Sequence, residues 1–414
     1  MIETRKKVTK NPRILLIDAE PYPYGMAHTN RLHLTAKGLQ ENGANVEIII
    51  IAPTENPDIM PRNTDIKGIF QGIPFQYMSG STSYSRSAVI RKINFYAGFI
   101  RCFFRIMNCQ SGDCVFFSPY DMFTLLLIRI VTLLKGIILV CEKTEHPYLT
   151  NKCTSGKSSI FQRIFIRYVY RLYDGIVVIS NKLKTFFLDQ TQNRIPVLSI
   201  PIIFDPGEFT ENSTHILNMI FSSGNLTEEK DGTFTLLRAF ALIVKDFPDM
   251  QLLIAGDNPR KKIKEKINDL IHDLGLEENV ELLGYISRTK YLYYLLNARV
   301  HVLAKPNNFQ SVYCMPTKLA EFLASGRPVI TSDNNGEMTS YLTDCQNAFI
   351  ASSYDAECFK EKIREVLQRQ EVADVVGVNG KDMAFREFDY SINSHKLYEF
   401  INTLTSLKNV DFKV

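Results

Sequence analysis

No stretch of about 18 uncharged apolar residues occurs in this 414-residue chain, which argues against a membrane-spanning helix. The nearest candidate, residues 123–140, is interrupted by Arg129, Lys135 and Gly136. The polar start, MIETRKKVTKNPR, lacks an apolar core, so no secretory leader is expected. The eight cysteines form no C-x-x-C pair and read as reduced packing thiols rather than zinc ligands or a disulfide framework. Neither G-x-x-x-x-G-K-[ST] nor G-x-G-x-x-G occurs where a nucleotide loop would need it, which argues against P-loop NTPases and NAD enzymes. No D-x-D occurs, so a metal-bridged diphosphate has no ligand pair and no metal is expected.

Acids are also missing locally. None lies between Asp65 and Asp113, while that gap holds Lys67, Arg86, Arg91, Lys92, Arg101 and Arg105. Interleaved with them are Phe95, Tyr96, Phe99, Phe103 and Phe104. Cations and aromatics together suit an anionic membrane surface, so residues 67–105 are expected to meet one. The competing picture is a buried amphipathic helix whose arginines snorkel to its rim. Nucleic acid is not expected, because no nucleic-acid motif accompanies the charge. The asymmetry is global: residues 1–200 carry a net +11 and the remainder −7.

What is present is ordinary globular composition, 45 % apolar and 22 % charged, enough for two domains. Short buried strands are expected at 13–18, 46–51, 114–117, 136–140 and 175–179, with a helix at 29–42 stopped by Gly43. A strand, loop, helix and strand within about 40 residues form a βαβ unit and imply a parallel sheet. A second alternation starts near residue 217. Its strands are expected at 219–222, 251–255, 280–283, 300–303 and 328–331, its helices at 233–246, 263–274, 289–297, 317–325 and 355–369. The proline-rich stretch 196–206 reads as the connection. The expected fold is α/β, two doubly wound parallel-sheet domains facing a ligand cleft.

Four clusters suggest chemistry. In the run Met315 to Ile330, Pro316 and Thr317 sit where a helix would begin and its free N–H groups would suit a phosphate. Glu321, one turn later, can accept two hydrogen bonds from a vicinal diol such as a ribose. Gly224 to Gly232 follows a strand, and Lys230 within it can reach a diphosphate. Gly25 permits close backbone approach at the mouth of the first strand, with His28 and Arg31 beside it. Glu142, Glu145 and His146 follow the strand at 136–140, at a carboxyl end where substrates are met.

Residues 221–232, 253–257, 275–286 and 316–330, in that order and spacing, resemble the GT-B glycosyltransferases of the large family that includes sucrose synthase and bacterial mannosyltransferases. The resemblance implies two Rossmann-like domains. Residues 1–200 would bind the acceptor, 201–385 the nucleotide sugar, and 386–414 would form a helical segment packing back towards the first domain. By resemblance, Lys230 and Glu321 would be the catalytic pair, holding diphosphate and ribose. Gly25, Gly224, Asn225, Gly256, Tyr285, Ile286, Met315, Pro316 and Thr317 would complete the donor site. His28, Arg31, Glu145 and His146 are the acceptor-side candidates, with Thr144 an alternative to His146 for the family's usual histidine. The implied activity is metal-independent, retaining transfer of a hexosyl or N-acetylhexosaminyl group from a nucleotide-diphosphate sugar. No cofactor beyond that co-substrate is implied. The acceptor would be lipid-linked or an oligosaccharide, in bacterial surface polysaccharide synthesis at the inner face of the plasma membrane. Two positions depart from the family: Tyr313 stands where an acid is usual, and Asn225 where a basic residue is usual. They support an alternative, a catalytically impaired GT-B protein that binds sugar nucleotide or glycan as a partner subunit. A sugar-nucleotide epimerase is a further, weaker alternative.

Overall fold

A computed structural model describes residues 11–119, 121–148, 160–210, 215–256, 260–333 and 335–411. The first sheet contains β1 (Arg13–Asp18), β2 (Asn45–Ile50), β3 (Lys67–Phe70), β4 (Ile73–Tyr77), β5 (Cys114–Phe116), β6 (Ile138–Lys143), β7 (Gly175–Val178) and β8 (Val197–Ser199). Their order is β3-β4-β2-β1-β5-β6-β7-β8, parallel except for the β3–β4 hairpin at one edge. The inner strands are buried on both faces, so each reads as a continuous apolar run such as Ile14-Leu15-Leu16-Ile17.

The second sheet contains β9 (Met219–Ser223), β10 (Gln251–Ala255), β11 (Val280–Gly284), β12 (Val300–Leu303), β13 (Val329–Ser332) and β14 (Phe349–Ala351). It is all parallel, in the order β11-β10-β9-β12-β13-β14. Helices flank both sheets, and several start where short polar side chains cap free N–H groups. Asp121 caps the Met122–Lys135 helix, Ser180 the Asn181–Thr191 helix and Asp355 the Ala356–Gln368 helix. The two α/β domains expected from the alternation of strands and helices are thus present.

Several local features differ from expectation. Within the proline-rich stretch, Val197–Ser199 is an edge strand of the first sheet, so the connection begins after it. Residues 67–77 form the β3–β4 hairpin, and only Ala88–Met107 of the acid-free region is helical. On that helix Arg101 turns inward to the Met78 carbonyl at 2.7 Å, and Arg105 grips Glu47 at 2.7 Å. Phe99 and Phe103 pack against the core, whereas Phe95 and Phe104 are exposed. Two of its arginines thus bond within the protein, and much of its apolar surface faces out.

The chain passes between domains twice. Phe204 on the outward passage pairs with the return passage, its N–H meeting the Phe388 carbonyl at 3.1 Å and its carbonyl receiving the Tyr390 N–H at 3.1 Å. The last helix, Tyr390–Asp411, then lies on the first domain, where Leu397, Ile401 and Leu404 are buried. Tyr390 bonds Glu41 at 2.9 Å and Lys408 bonds Asp174 at 2.6 Å.

Candidate active site

A cleft of about 1550 Å³ separates the two sheets, and loops at the carboxyl ends of strands from both domains line it. On the second domain, the ends of β9 and β10 come together as glycines. Gly256 has φ +124°, and a Cβ there would stand 1.9 Å from the Gly224 carbonyl oxygen, so the two backbones touch only because neither carries a side chain.

Beyond Gly224, a helical turn at Glu228–Asp231 is capped by Thr227 and presents Lys230 and Asp231. Asp231 is the centre of a cationic cluster. Its side chain is 9 % exposed and takes Lys318 Nζ at 2.7 Å and Lys305 Nζ at 3.7 Å. Its second oxygen accepts the Asn225 N–H at 2.8 Å. Lys318 also donates to the Ser223 carbonyl at 2.6 Å, and Lys305 to the Lys230 carbonyl. Burial opposes the Asp231 charge, but Lys318 and Lys305 outweigh it and hold the carboxyl below its usual value. Burial draws the Lys305 ammonium down to about 8, against the pull of Asp231. The Lys230 ammonium points across the cleft, 3.4 Å from Glu145 of the first domain, which also accepts from Gln310 at 3.1 Å. Two cations that the sequence reading did not use, Lys305 and Lys318, thus stand beside Asn225, where the family's basic residue is absent.

Glu321 lies on the Lys318–Ala324 helix, 8 % exposed at the cleft wall. Arg288 Nη1 meets its Oε1 at 2.8 Å, and Asn30 from the first domain reaches the same oxygen at 3.3 Å. Arg288 is shared with Glu208, whose carboxylate it grips from the other side. Sequence reasoning missed Arg288, since no motif marks it. Tyr285, Ile286, Met315, Pro316 and Thr317 all line the cleft, and the Arg62 guanidinium stacks 3.9 Å over the Tyr285 ring.

On the first domain the Gly25 loop forms part of the wall, and His28 pairs with Asp18 at 2.8 Å. Burial works against the His28 charge, but Asp18 outweighs it, with help from Glu142 and Glu20, and lifts the imidazolium to about 9. Arg31 is not free to meet an acceptor. It is buried, and its guanidinium binds Glu142 at 2.9 Å and the carbonyls of Pro201 and Ile200 at 2.5 and 3.0 Å. His146 is also withdrawn. It is 1 % exposed, and the rings of Tyr148, Phe186, Phe309 and Tyr313 surround it at 4.2–4.7 Å. Burial lowers its pKa to about 4, so it is neutral at physiological pH. Thr144 and Glu145 line the cleft beside it. Tyr313 belongs to this aromatic box, with its ring against His146. Among the described residues, no group of three or more His, Cys, Asp or Glu side chains could hold a metal ion.

Comparison with known proteins agrees with this architecture. Residues 209–383 match the family of glycosyl transferases group 1. An uncharacterised glycosyltransferase of Methanocaldococcus jannaschii is 25 % identical over 223 residues, covering 49 % of this chain and 52 % of that protein. This chain matches about half to two thirds of the length of such curated relatives. Among solved structures, Anabaena HepE in complex with UDP-glucose is 14 % identical and superposes with a TM-score of 0.67 over 94 % of this chain and 99 % of its own. Sucrose-phosphate synthase from Thermosynechococcus elongatus, 13 % identical, gives 0.72 over 96 % and 100 %. Residues 209–383 are thus similar in sequence to the group 1 glycosyl transferases, and nearly the whole chain has the GT-B fold of the solved structures.

Proposed function

We propose that the chain transfers a sugar, with retention of configuration, from a nucleotide-diphosphate donor to a lipid-linked or oligosaccharide acceptor in surface polysaccharide synthesis. The observation that carries this reading is the pair Lys305 and Lys318 about Asp231, with Lys230 reaching across the same cleft to Glu145 and Glu321 on its wall. Three ammonium groups at a strand end suit the charge that grows on a departing diphosphate. Glu321 suits the ribose hydroxyls once Arg288 yields, and Tyr285 with Ile286 suits the base. The UDP-glucose bound in the Anabaena structure makes a uridine donor the first to try.

In the proposed step the acceptor oxygen approaches the anomeric carbon from the leaving-group side. The bond from that carbon to the diphosphate oxygen breaks as the new glycosidic bond forms, and the acceptor proton passes to the departing phosphate. Cations rather than a divalent metal stabilise the leaving group. Work at the inner face of the plasma membrane follows if residues 67–105 rest on anionic lipid.

The test is thermal unfolding with a panel of nucleotide sugars, followed by donor hydrolysis without acceptor. Donor at 100 times its dissociation constant adds about 2.7 kcal/mol and raises the midpoint. If no nucleotide sugar raises it, the reading fails. Binding without any release of nucleotide would favour the impaired partner subunit.

A further inference from the structure

Three helices cover one face of the first sheet: Ala88–Met107, Met122–Lys135 and Ile160–Val169. None contains an Asp or a Glu. The first turns Gly98, Cys102 and Ile106 to the core. Its opposite side carries Val89, Ile93, Tyr96, Ile100 and Phe104, all exposed, at spacings of three and four that form one stripe. The second turns Leu125, Ile128 and Thr132 inward and exposes Phe123, Leu126, Ile130 and Leu134, with Phe123 72 % and Leu134 79 % exposed. The third exposes Ile164, Phe165 and Tyr168. A helix at a water boundary keeps a polar outer face, and one that is apolar on both sides belongs in apolar surroundings. Among the described residues, no helix is long and apolar enough to cross a membrane.

We propose that these outer faces form a lipid-insertion surface, and that the acceptor reaches the cleft as the head group of a lipid held in the same bilayer. Charge selects this occupant over a second copy of the chain. The exposed side chains of these helices include Arg91, Lys92 and Arg167, and the three helices carry no carboxylate to pair with them. Two such faces meeting would confront like charges, whereas lipid head groups supply phosphates. Because Arg101 and Arg105 are already bonded to the Met78 carbonyl and to Glu47, insertion rather than surface charge dominates the contact. The surface also runs into the cleft, since Tyr96 of the first helix and Phe123 of the second are exposed on the outer faces and line the cleft as well. A free oligosaccharide has no need of such an apolar approach. The acceptor half of this proposal rests on the transferase reading; the surface does not.

The test is flotation with vesicles of neutral phosphatidylcholine, and of the same lipid with anionic lipid added, at low and high salt. The wild type binds both, and high salt leaves neutral-vesicle binding unchanged. Ile93→Asn, Ile100→Asn and Phe104→Asn together weaken binding to both by about tenfold or more, while Arg91→Gln with Lys92→Gln removes only the preference for anionic vesicles. The triple variant keeps the wild-type unfolding midpoint and its shift with UDP, since all three side chains point away from core and cleft. Absence of wild-type binding to neutral vesicles, or triple-variant binding equal to wild type, overturns the proposal. So does a dimer in ultracentrifugation that the triple substitution dissolves while vesicles are ignored. A wild type that floats but shows no shift with any nucleotide sugar would remove the transferase reading and leave the surface standing. Transfer to a soluble glycan as fast as to a lipid-linked sugar in vesicles would overturn the acceptor half.

Discussion

Replacing Asp231 by Asn should destabilise the empty protein and strengthen its response to a diphosphate. Asp231 neutralises Lys318 at 2.7 Å and Lys305 at 3.7 Å in a site with little solvent. Removing one partner from a buried ion pair leaves an uncompensated charge and costs about 3–5 kcal/mol. The lower end applies, because Lys305, already drawn down to about 8, can shed its proton when the carboxylate is gone. For a domain of this size about 3 kcal/mol lowers the midpoint by roughly 6–12 °C. A nucleotide diphosphate then replaces the lost anion with phosphate oxygens. Its binding should raise the midpoint of Asp231→Asn by more than it raises that of the wild type. Scanning fluorimetry with UDP and with inorganic diphosphate reads both effects. An unchanged midpoint without ligand, or a ligand shift no larger in the variant, would show that these lysines are not held for a diphosphate.

Other outcomes follow from the same geometry. Lys305 is charged below about 8 and neutral above, so UDP affinity measured by calorimetry should fall as pH rises through that value, and a flat profile contradicts its role. Glu321→Ala should weaken donor binding by about 10- to 150-fold, from the loss of a charged hydrogen bond of roughly 1.5–3 kcal/mol, while Lys230→Ala should lower turnover more than affinity. Transfer should survive EDTA; loss of activity restored by manganese or magnesium would refute the metal-free leaving-group chemistry. Arg105→Gln should lower the unfolding midpoint through Glu47 yet leave vesicle flotation unchanged, which separates the inward arginines from the outer surface.

The two-domain plan was legible because buried parallel strands leave continuous apolar runs, as in Val46 to Ile50. The β3–β4 hairpin was not, since its short strands carry Lys67, Gly68 and Pro74 and pair only with each other and β2. Charge along residues 88–107 was visible, but its direction was not. Arg105 points inward because Glu47, 58 positions earlier, stands on β2 beneath it. The cleft loops after β9 and β10 could be recognised from their glycines and from Lys230. Arg288 could not, because its partners Glu208 and Glu321 reach it from distant segments. His146 and Thr144 differ in exposure because the Phe309–Tyr313 helix from the second domain brings aromatic rings against the histidine alone.

The return of residues 390–411 to the first domain has a consequence during synthesis. Leu397, Ile401 and Leu404 complete a core whose other members, such as Leu39 and Ile48, are translated some 350 residues earlier. At roughly 5–20 residues per second, the ribosome leaves that core uncapped for tens of seconds. The second domain has all of its sheet strands before then and can fold first, despite coming later in the chain. During this interval the nascent first domain exposes the apolar groove that the final helix will fill, and a chaperone that shields it should raise the yield of native protein.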